Sequence, residues 1–324
     1  YGGPREEISN NLNEEDIDGL IKVLDGTNFS EDMVRMNKCF AVTRDDVSSR
    51  PYLGHVNSRF KFVQPNQLFE FFSDLVKDQG FRMESAGALR GGSRIWALAK
   101  VPQGFTLPGG DRVEAYVMIA TGVDGKFATH VGMTSVRVVC NNTYKLALDK
   151  KSSSEMKISH NQIFDPTQIK MDLGWVNKEL SNYEEEALML TKTDLTTAEI
   201  DRMIKEVYGH RPEDANEFEK KFGREITYDD YEIPERTMRK VKDAIFTSPG
   251  SGIESAKPTR IRNASGELVV TSAWGFVNGV THFEDHVKSE SKNSSKLDTA
   301  WFGKGRDNKI KAHKTACAFA SNCK

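Results

Sequence analysis

Two periodicities of apolar positions divide the chain into a strand-forming part and helix-forming parts. From residue 81 to residue 139, apolar segments are separated by turn sequences such as Arg90-Gly-Gly-Ser93 and Pro108-Gly-Gly110, a pattern typical of antiparallel strands. It predicts strands at residues 81–89, 94–101, 113–121 and 127–139, preceded by a short one at 60–63. Turns as short as these favour an antiparallel meander.

Helical periodicity is found on both sides of the predicted strands. Before them, apolar residues form one stripe of a helix at 14–24, and a second helix at 66–79 begins at the capping residue Asn66. Further helices are predicted at residues 163–190, 196–208, 213–222, 235–246, 266–287 and 307–320. The fold class predicted is therefore α+β, an antiparallel β-meander packed with helices and followed by a mainly helical C-terminal half.

Changes in composition predict four segments. Residues 1–42 form an N-terminal arm with an amphipathic helix, residues 43–160 the α+β core, residues 161–250 a helical region, and residues 251–324 a helical and basic segment. The glycine- and serine-rich residues 247–252 are the clearest linker.

One segment combines a predicted strand end with a predicted helix start. Residues 135–139 are rich in valine, Asn142 or Thr143 can cap a helix, and residues 144–148 have helical character. The N–H groups of such a helix start, together with Arg137, suit an anion such as a phosphate. The alternative is a capped helix that binds no ligand.

Composition narrows the class of protein. The chain has 324 residues and a formal net charge of −2, which argues against a wholly basic nucleic-acid binder but permits a local basic face. Its four cysteines are scattered and form no CxxC pair, as expected of reduced thiols in a cytoplasmic protein. No stretch approaches the roughly 20 apolar residues of a membrane span. Phosphate-loop, nucleophile-elbow and dinucleotide motifs are absent from the sequence, so neither an ATP-driven enzyme nor a cofactor is expected.

Four stretches together resemble a known family. They are Tyr52-Leu-Gly-His-Val-Asn-Ser-Arg-Phe-Lys-Phe-Val-Gln-Pro65, Ser85-Ala-Gly-Ala-Leu-Arg-Gly-Gly-Ser-Arg-Ile-Trp96, Val136-Arg-Val-Val-Cys-Asn-Asn-Thr143 and Gly275-Phe-Val-Asn-Gly-Val-Thr-His-Phe-Glu-Asp-His286. They are similar to the phage/plasmid-like proteins of domain-of-unknown-function family 932. The resemblance implies a phage or mobile-element setting and a role in DNA replication or recombination. The helix–meander–helix order is also similar to the core of single-strand annealing proteins, an analogy of fold alone. The family supplies no catalytic residue.

The predicted hairpin at residues 81–100 carries the candidate nucleic-acid contacts. Its cations outnumber its one acidic residue, Glu84, and Trp96 adds an aromatic face that can stack on a base. Its candidate residues are Arg82, Arg90, Arg94, Trp96 and Lys100. A solvated hairpin with aromatic core residues explains the same pattern.

Two further groups of residues complete the predicted nucleic-acid site. One lies at the predicted strand–helix junction and comprises Arg137, Asn142 and Lys145. The other, Lys304 and Arg306, lies in the basic stretch 288–314 beside Trp301 and Phe302. A solvated surface loop is the alternative for that stretch.

A histidine pair is the remaining candidate for chemistry. His282 and His286 have the i, i+4 spacing that can place two imidazoles on one metal ion. The pattern is not HExxH and no third ligand can be named, so a polar helix surface is favoured and no metal is expected.

The residues thus predict a cytoplasmic protein that binds or anneals single-stranded DNA without catalytic chemistry. The resemblance implies that it does so for a phage or mobile element, in recombination or replication. Its partners would be single-stranded DNA and further copies of itself in a homo-oligomer, with no membrane. The alternative is an oligomeric structural or host-interaction protein that binds no nucleic acid.

Overall fold

The computed structural model describes residues 35–36, 39–44, 52–137, 142–145, 155–165, 175–212, 215–247, 266, 268–288 and 296–322. The predicted helix at 14–24 and residues 248–252 of the predicted linker lie outside this range. The chain forms two compact units, each assembled from separate segments. Unit 1 contains residues 1–104, 114–134 and 148–179, and unit 2 contains residues 105–113, 135–147 and 180–324.

A small antiparallel sheet precedes the first helix. Its strands are β1 (Arg35–Met36), β2 (Cys39–Thr43) and β3 (Tyr52–Asn57). Gly54 lies so close to the chain at Asp124 that a Cβ there would be 2.7 Å from the Asp124 Cα. This sheet was not predicted from the sequence.

The main sheet confirms the predicted meander. Its strands are β4 (Arg82–Leu89), β5 (Arg94–Thr106), β6 (Arg112–Gly122), β7 (Thr129–Arg137), β8 (Asn142–Lys145) and β9 (Glu155–Ile158). Strands β4 to β8 are neighbours in chain order, and β9 pairs antiparallel with β7. The predicted helix at 66–79 is also present as α1 (Pro65–Gln79), which contributes the fully buried Leu68, Phe71 and Phe72.

Two local predictions in this region were wrong. Residues 60–63 are irregular rather than a strand. The helix start predicted after Arg137 is also wrong, because Asn142–Lys145 is strand β8; residues 138–141 and 146–148 lie outside the described range. Thr143 and Tyr144 have strand propensity, and pairing with a neighbouring strand outweighs the cap-like Asn-Asn-Thr sequence.

The second half of the chain is mainly helical, as predicted. Its helices are α2 (Trp175–Thr191), α3 (Thr197–Tyr208), α4 (Ala215–Phe222), α5 (Glu235–Thr247), α6 (Ala273–His282), α7 (Lys296–Phe302) and α8 (Lys304–Asn322). A π-helical turn, Phe283–Val287, extends α6. Two short strands, β10 (Asp194–Thr196) and β11 (Val269–Ser272), pair antiparallel and were not predicted.

Some helix boundaries differ from the prediction. Residues 163–165 are irregular, and Ile163 is 80% exposed, so the helix predicted from 163 does not begin there. The helix predicted over 266–287 begins only at Ala273, where Ser272 caps it by accepting a hydrogen bond from the Gly275 N–H. The preceding valines pair as β11, which is the usual preference of β-branched residues.

Helix α6 lies at the centre of unit 2. Residues 273–281 are all buried, whereas most surface helices bury one stripe only. Its Gly279 allows close approach to α5, since a Cβ at that position would overlap the Ile245 Cα. No described helix has the length and apolarity needed to cross a membrane.

Candidate nucleic-acid interface

The turn between β4 and β5 brings two arginines to one exposed loop of unit 1. Arg90 has a φ of 54° and is followed by Gly91 and Gly92, which also have positive φ. Arg44 donates a hydrogen bond from Nη1 to the Gly91 carbonyl oxygen at 3.1 Å. A Cβ on Gly92 would lie 2.9 Å from the Arg44 Cδ, so glycine makes room for this side chain.

The strands of the hairpin are less cationic than their sequence indicates. Arg82 is exposed but forms an ion pair with Glu84 at 2.5 Å. Lys100, directly opposite Arg82, forms an ion pair with Glu114 of β6 at 2.6 Å. Because Glu84 and Glu114 compensate these two cations, the hairpin attracts a phosphate less strongly than its own sequence predicts.

The structure places two other predicted contacts in the interior. Arg94 is buried, and its guanidinium carbon lies 4.0 Å from the centroid of the Phe127 ring. Trp96 is 7% exposed and lies against Gly87, its register partner, so its ring has little surface for a base. In this conformation neither side chain is accessible to a nucleic acid. Each would first have to leave the core.

The remaining predicted residues belong to segments of unit 2. Arg137 ends β7, and Asn142 and Lys145 lie in β8, but their side chains lie outside what the structure describes. Lys304 is exposed at the start of α8, while Arg306 forms an ion pair with Asp307 at 2.8 Å.

The predicted histidine pair is also in unit 2. The rings of His282 and His286 lie with centroids 5.0 Å apart, the first at the end of α6 and the second in the π-helical turn.

A different surface of unit 1 combines aromatic rings with exposed cations. We call it the aromatic–basic surface, and it consists of Arg59, Phe60, Lys61, Phe62, Lys126, Phe127, His130, Lys157 and His160. These residues come from the segment before α1, the turn between β6 and β7, strand β7, and strand β9 with the turn that follows it.

His160 joins three of these segments by hydrogen bonds. Its Nδ1 lies 2.9 Å from the Lys61 carbonyl oxygen and its Nε2 lies 3.1 Å from the Phe127 carbonyl oxygen. The Lys61 N–H in turn donates to the His160 carbonyl oxygen at 2.6 Å. The neutral imidazole carries one N–H and can therefore donate to only one of the two carbonyls at a time.

The aromatic rings of the surface contact one another. The Phe60 ring stacks on His160 with centroids 4.2 Å apart, and Phe62 meets Phe60 edge-on at 4.9 Å. Phe127 stacks on His130 at 4.7 Å. Because Phe60, Phe62, Phe127 and His130 are each partly exposed, part of this ring surface is accessible to solvent.

Four cations belong to the same segments as these rings. Arg59, Lys61, Lys126 and Lys157 are all exposed, and Lys157 lies opposite His130 in the pairing of β9 with β7. Within the described part of the chain, no acidic side chain forms an ion pair with any of the four. Asp124, the acidic residue nearest in sequence to Lys126, is buried and accepts a hydrogen bond from the Lys126 N–H. The surface therefore has a positive charge that the overall net charge of −2 conceals.

No local signal in the sequence predicts this surface. Residues 59–62, 126–130 and 157–160 are separated by tens of positions and are brought together only by tertiary pairing. The one available hint was that residues 59–62 lie within the first stretch that resembles the family.

These features define an α+β protein with an antiparallel meander, a helical second half, and an exposed aromatic and basic surface beside the sheet of unit 1. The chain belongs to the family described as domain of unknown function (DUF932), whose model matches residues 52–309. No curated protein and no solved structure matches the chain.

Proposed function

We propose that this protein binds single-stranded nucleic acid without reading its sequence, and that it anneals DNA strands in recombination or replication. The observation that carries the proposal is the aromatic–basic surface. Proteins that bind single strands in this way combine cations that follow the phosphate backbone with aromatic rings on which bases stack. The proposal assigns no catalytic residue.

The charges of the surface suit a flexible polyanion. Arg59, Lys61, Lys126 and Lys157 are long, exposed side chains, which can reach successive phosphates without a rigid binding pocket. Four phosphate contacts on a single strand predict that the logarithm of affinity falls with the logarithm of salt concentration with a slope of about −3.

The rings of the surface suit unpaired bases. Duplex DNA hides its base faces in the stack, whereas a single strand exposes them to rings such as Phe60 and Phe62. Every base has a π-face, so stacking tolerates any sequence. The surface therefore favours single strands over duplexes.

Four phosphate contacts and a few stacked bases give only modest affinity for one copy of the chain. If several copies align on one strand, each later copy binds at a high effective concentration, and the assembly holds the strand far more tightly. The proposal therefore includes a homo-oligomer whose aromatic–basic surfaces form a continuous track.

The experiment is a salt titration of binding to a fluorescent, unstructured oligothymidine. The test variant is Lys61→Glu/Lys126→Glu/Lys157→Glu. The matched control is Arg202→Glu/Arg236→Glu/Arg239→Glu, which reverses three exposed cations on helices α3 and α5 of unit 2. We expect the wild type and the control to have slopes near −3, and the test variant to bind weakly with a slope between 0 and about −1.

Two results would contradict the proposal. One is a wild type that binds no single strand at low salt. That result would favour the alternative, an oligomeric structural or host-interaction protein that binds no nucleic acid. The other is equal loss of binding in the test variant and in the control, which would show a non-specific response to net charge. Strand annealing is then measured by energy transfer between complementary labelled oligonucleotides, where the test variant should be slower than the control.

A further inference from the structure

Three side chains that can bind a metal ion through different atoms, an oxygen, a nitrogen and a sulfur, lie close together on helices α2 and α8. Glu186 lies on α2, and His313 and Cys317 lie one turn apart on α8. One donor atom from each residue lies within 4.8 Å of the other two. The sequence alone indicates only the pair His282 and His286 as candidate metal ligands.

The donor atoms are too far apart for good hydrogen bonds and somewhat more widely spaced than the ligands of one bound ion. The His313 Nε2 lies 3.5 Å from the Glu186 Oε2 and 3.8 Å from the Cys317 Sγ. In a tetrahedral zinc site, bonds of about 2.0 Å to nitrogen or oxygen and about 2.3 Å to sulfur place ligand atoms about 3.3–3.5 Å apart. The Cys317 Sγ lies equally far, 3.8 Å, from the His313 Nδ1. A rotation of the Cys317 side chain, together with a shift of the Glu186 side chain, which is 48% exposed, would bring the three donors to this spacing.

We propose that Glu186, His313 and Cys317 form a binding site for a transition-metal ion of the zinc class. A nitrogen, a sulfur and an oxygen donor together favour a borderline-soft ion such as Zn²⁺. Magnesium and calcium take oxygen ligands and are disfavoured by the thiol and the imidazole. The exposed side of the site, at Glu186, leaves a fourth position for water.

The protonation state of the buried His313 agrees with this assignment. Burial, with a smaller contribution from the neighbouring Lys314, lowers the pKa of His313 to about 4. The imidazole is therefore neutral at pH 7, the form in which histidine binds metal ions. Burial, with a smaller contribution from Glu186, raises the pKa of the Cys317 thiol to about 12. An ion would therefore have to displace a proton from Cys317, as zinc does when it binds a thiol.

A neighbouring aromatic ring restrains one of the three ligands. The Tyr183 ring, 2% exposed, lies 5.9 Å from His313 between ring centroids and limits how far the imidazole can turn. An ion at this position would link α2 to α8 and so stabilise unit 2. The site shares no residue with the aromatic–basic surface, and its test does not depend on nucleic-acid binding.

The experiment uses the full chain without a purification tag, stripped of metal with a chelator and titrated with Co²⁺. Bound Co²⁺ reports a thiolate ligand through a charge-transfer band in the near ultraviolet. We expect one Co²⁺ per chain with this band, and displacement of the Co²⁺ by Zn²⁺. Thermal denaturation should shift to higher temperature when either ion is present.

Three variants locate the site. Cys317→Ser should lose the charge-transfer band. Glu186→Gln, which changes an exposed residue and should fold normally, should weaken binding at least tenfold, since even outer-shell changes at metal sites cost about 10- to 100-fold. His282→Gln/His286→Gln is the matched control and should bind like the wild type.

A wild type that gives no band and no thermal shift with millimolar Co²⁺ or Zn²⁺ would overturn the proposal. So would a band that persists in Cys317→Ser, because one of the other three cysteines would then be the ligand. If Cys317→Ser does not fold, two other results would overturn the proposal. One is an unchanged metal affinity in Glu186→Gln, and the other is loss of metal binding in His282→Gln/His286→Gln.

Discussion

The Lys309 Nζ lies 2.8 Å from the Asp285 Oδ1, and both side chains are almost completely withdrawn from solvent. A second pair lies beside them, where the Lys288 Nζ is 2.7 Å from the Glu284 Oε2, and Asn308 donates to the other Glu284 oxygen at 2.7 Å. The π-helical turn Phe283–Val287 thus carries two buried acidic residues, each compensated by a lysine.

This buried pairing makes Lys309 sensitive to substitution. Lys309→Met should lower the free energy of unfolding by about 3–5 kcal/mol, because Asp285 would remain buried and charged without its lysine. The double variant Lys309→Met/Asp285→Leu should lose much less, since it buries no unpaired charge. Urea denaturation measures both. Equal losses in the single and double variants would mean that packing, rather than charge, is responsible.

The contact between α5 and α6 predicts a second large effect. Gly279→Ala should destabilise unit 2 by at least about 2 kcal/mol, because the added Cβ overlaps the Ile245 backbone and lies 2.5 Å from its Cγ1. The control introduces Gly279→Ala into an Ile245→Ala background, which removes the side-chain clash but not the overlap with the backbone, so Gly279→Ala should still destabilise the protein. Thermal denaturation is the measurement, and equal stability of Ile245→Ala with and without Gly279→Ala would contradict the backbone argument.

The buried imidazole of His313 predicts a pH dependence of stability in metal-free protein. Its pKa is about 4 in the folded chain, against about 6.5 when unfolded. Between these values the unfolded state binds a proton that the folded state does not, so stability falls as the pH is lowered from about 6.5 to about 4. The loss from this group should be about 3 kcal/mol, and Lys314 and Glu186 are the charged groups near it.

Urea denaturation at pH 7, 6, 5 and 4 in the presence of a chelator checks this prediction. His313→Gln should show a flatter dependence than the wild type, although its stability at pH 7 will also be lower. Identical pH profiles for the two proteins would show that other groups determine the acid sensitivity.

Stacking on the aromatic–basic surface predicts an effect that salt does not change. Phe60→Ala should weaken binding to oligothymidine by about 1–3 kcal/mol, whereas the slope against salt stays near −3 because no cation is lost. Phe222→Ala is the control, since this ring of α4 is 53% exposed in unit 2. Phe60→Trp keeps a stacking surface and should bind like the wild type in anisotropy titrations.

The meander could be predicted from the sequence because its signals are local. Gly91 and Gly110 adopt positive φ at the turns where the sequence predicted them, and the residues between the turns are apolar. Local signals failed at Asn142–Lys145, where a cap-like sequence forms a strand, and at Val269–Ser272, where pairing with β10 replaces the expected helix.

The candidate sites depended on contacts that no spacing reveals. The sequence predicted that Trp96 presents an aromatic face to a base. In the structure Trp96 is buried, and its ring packs against Gly87. The aromatic–basic surface depends on hydrogen bonds between His160 and Lys61, which are 99 positions apart. The proposed metal site likewise requires Glu186 to meet His313 across two helices.

The interleaving of the two units has a practical consequence for dissecting this protein. The chain passes between them five times, and the segment 105–113 belongs with the helical unit, where the Trp274 Nε1 donates to the Asp111 Oδ2 at 2.9 Å. No single truncation point in the chain yields a fragment that contains one complete unit and nothing of the other. A fragment from residue 180 onward would leave the Trp274 indole without its acceptor, and one ending at residue 104 would lack strand β6. Functions can be assigned to one unit by point substitution in the whole chain, but not by truncation.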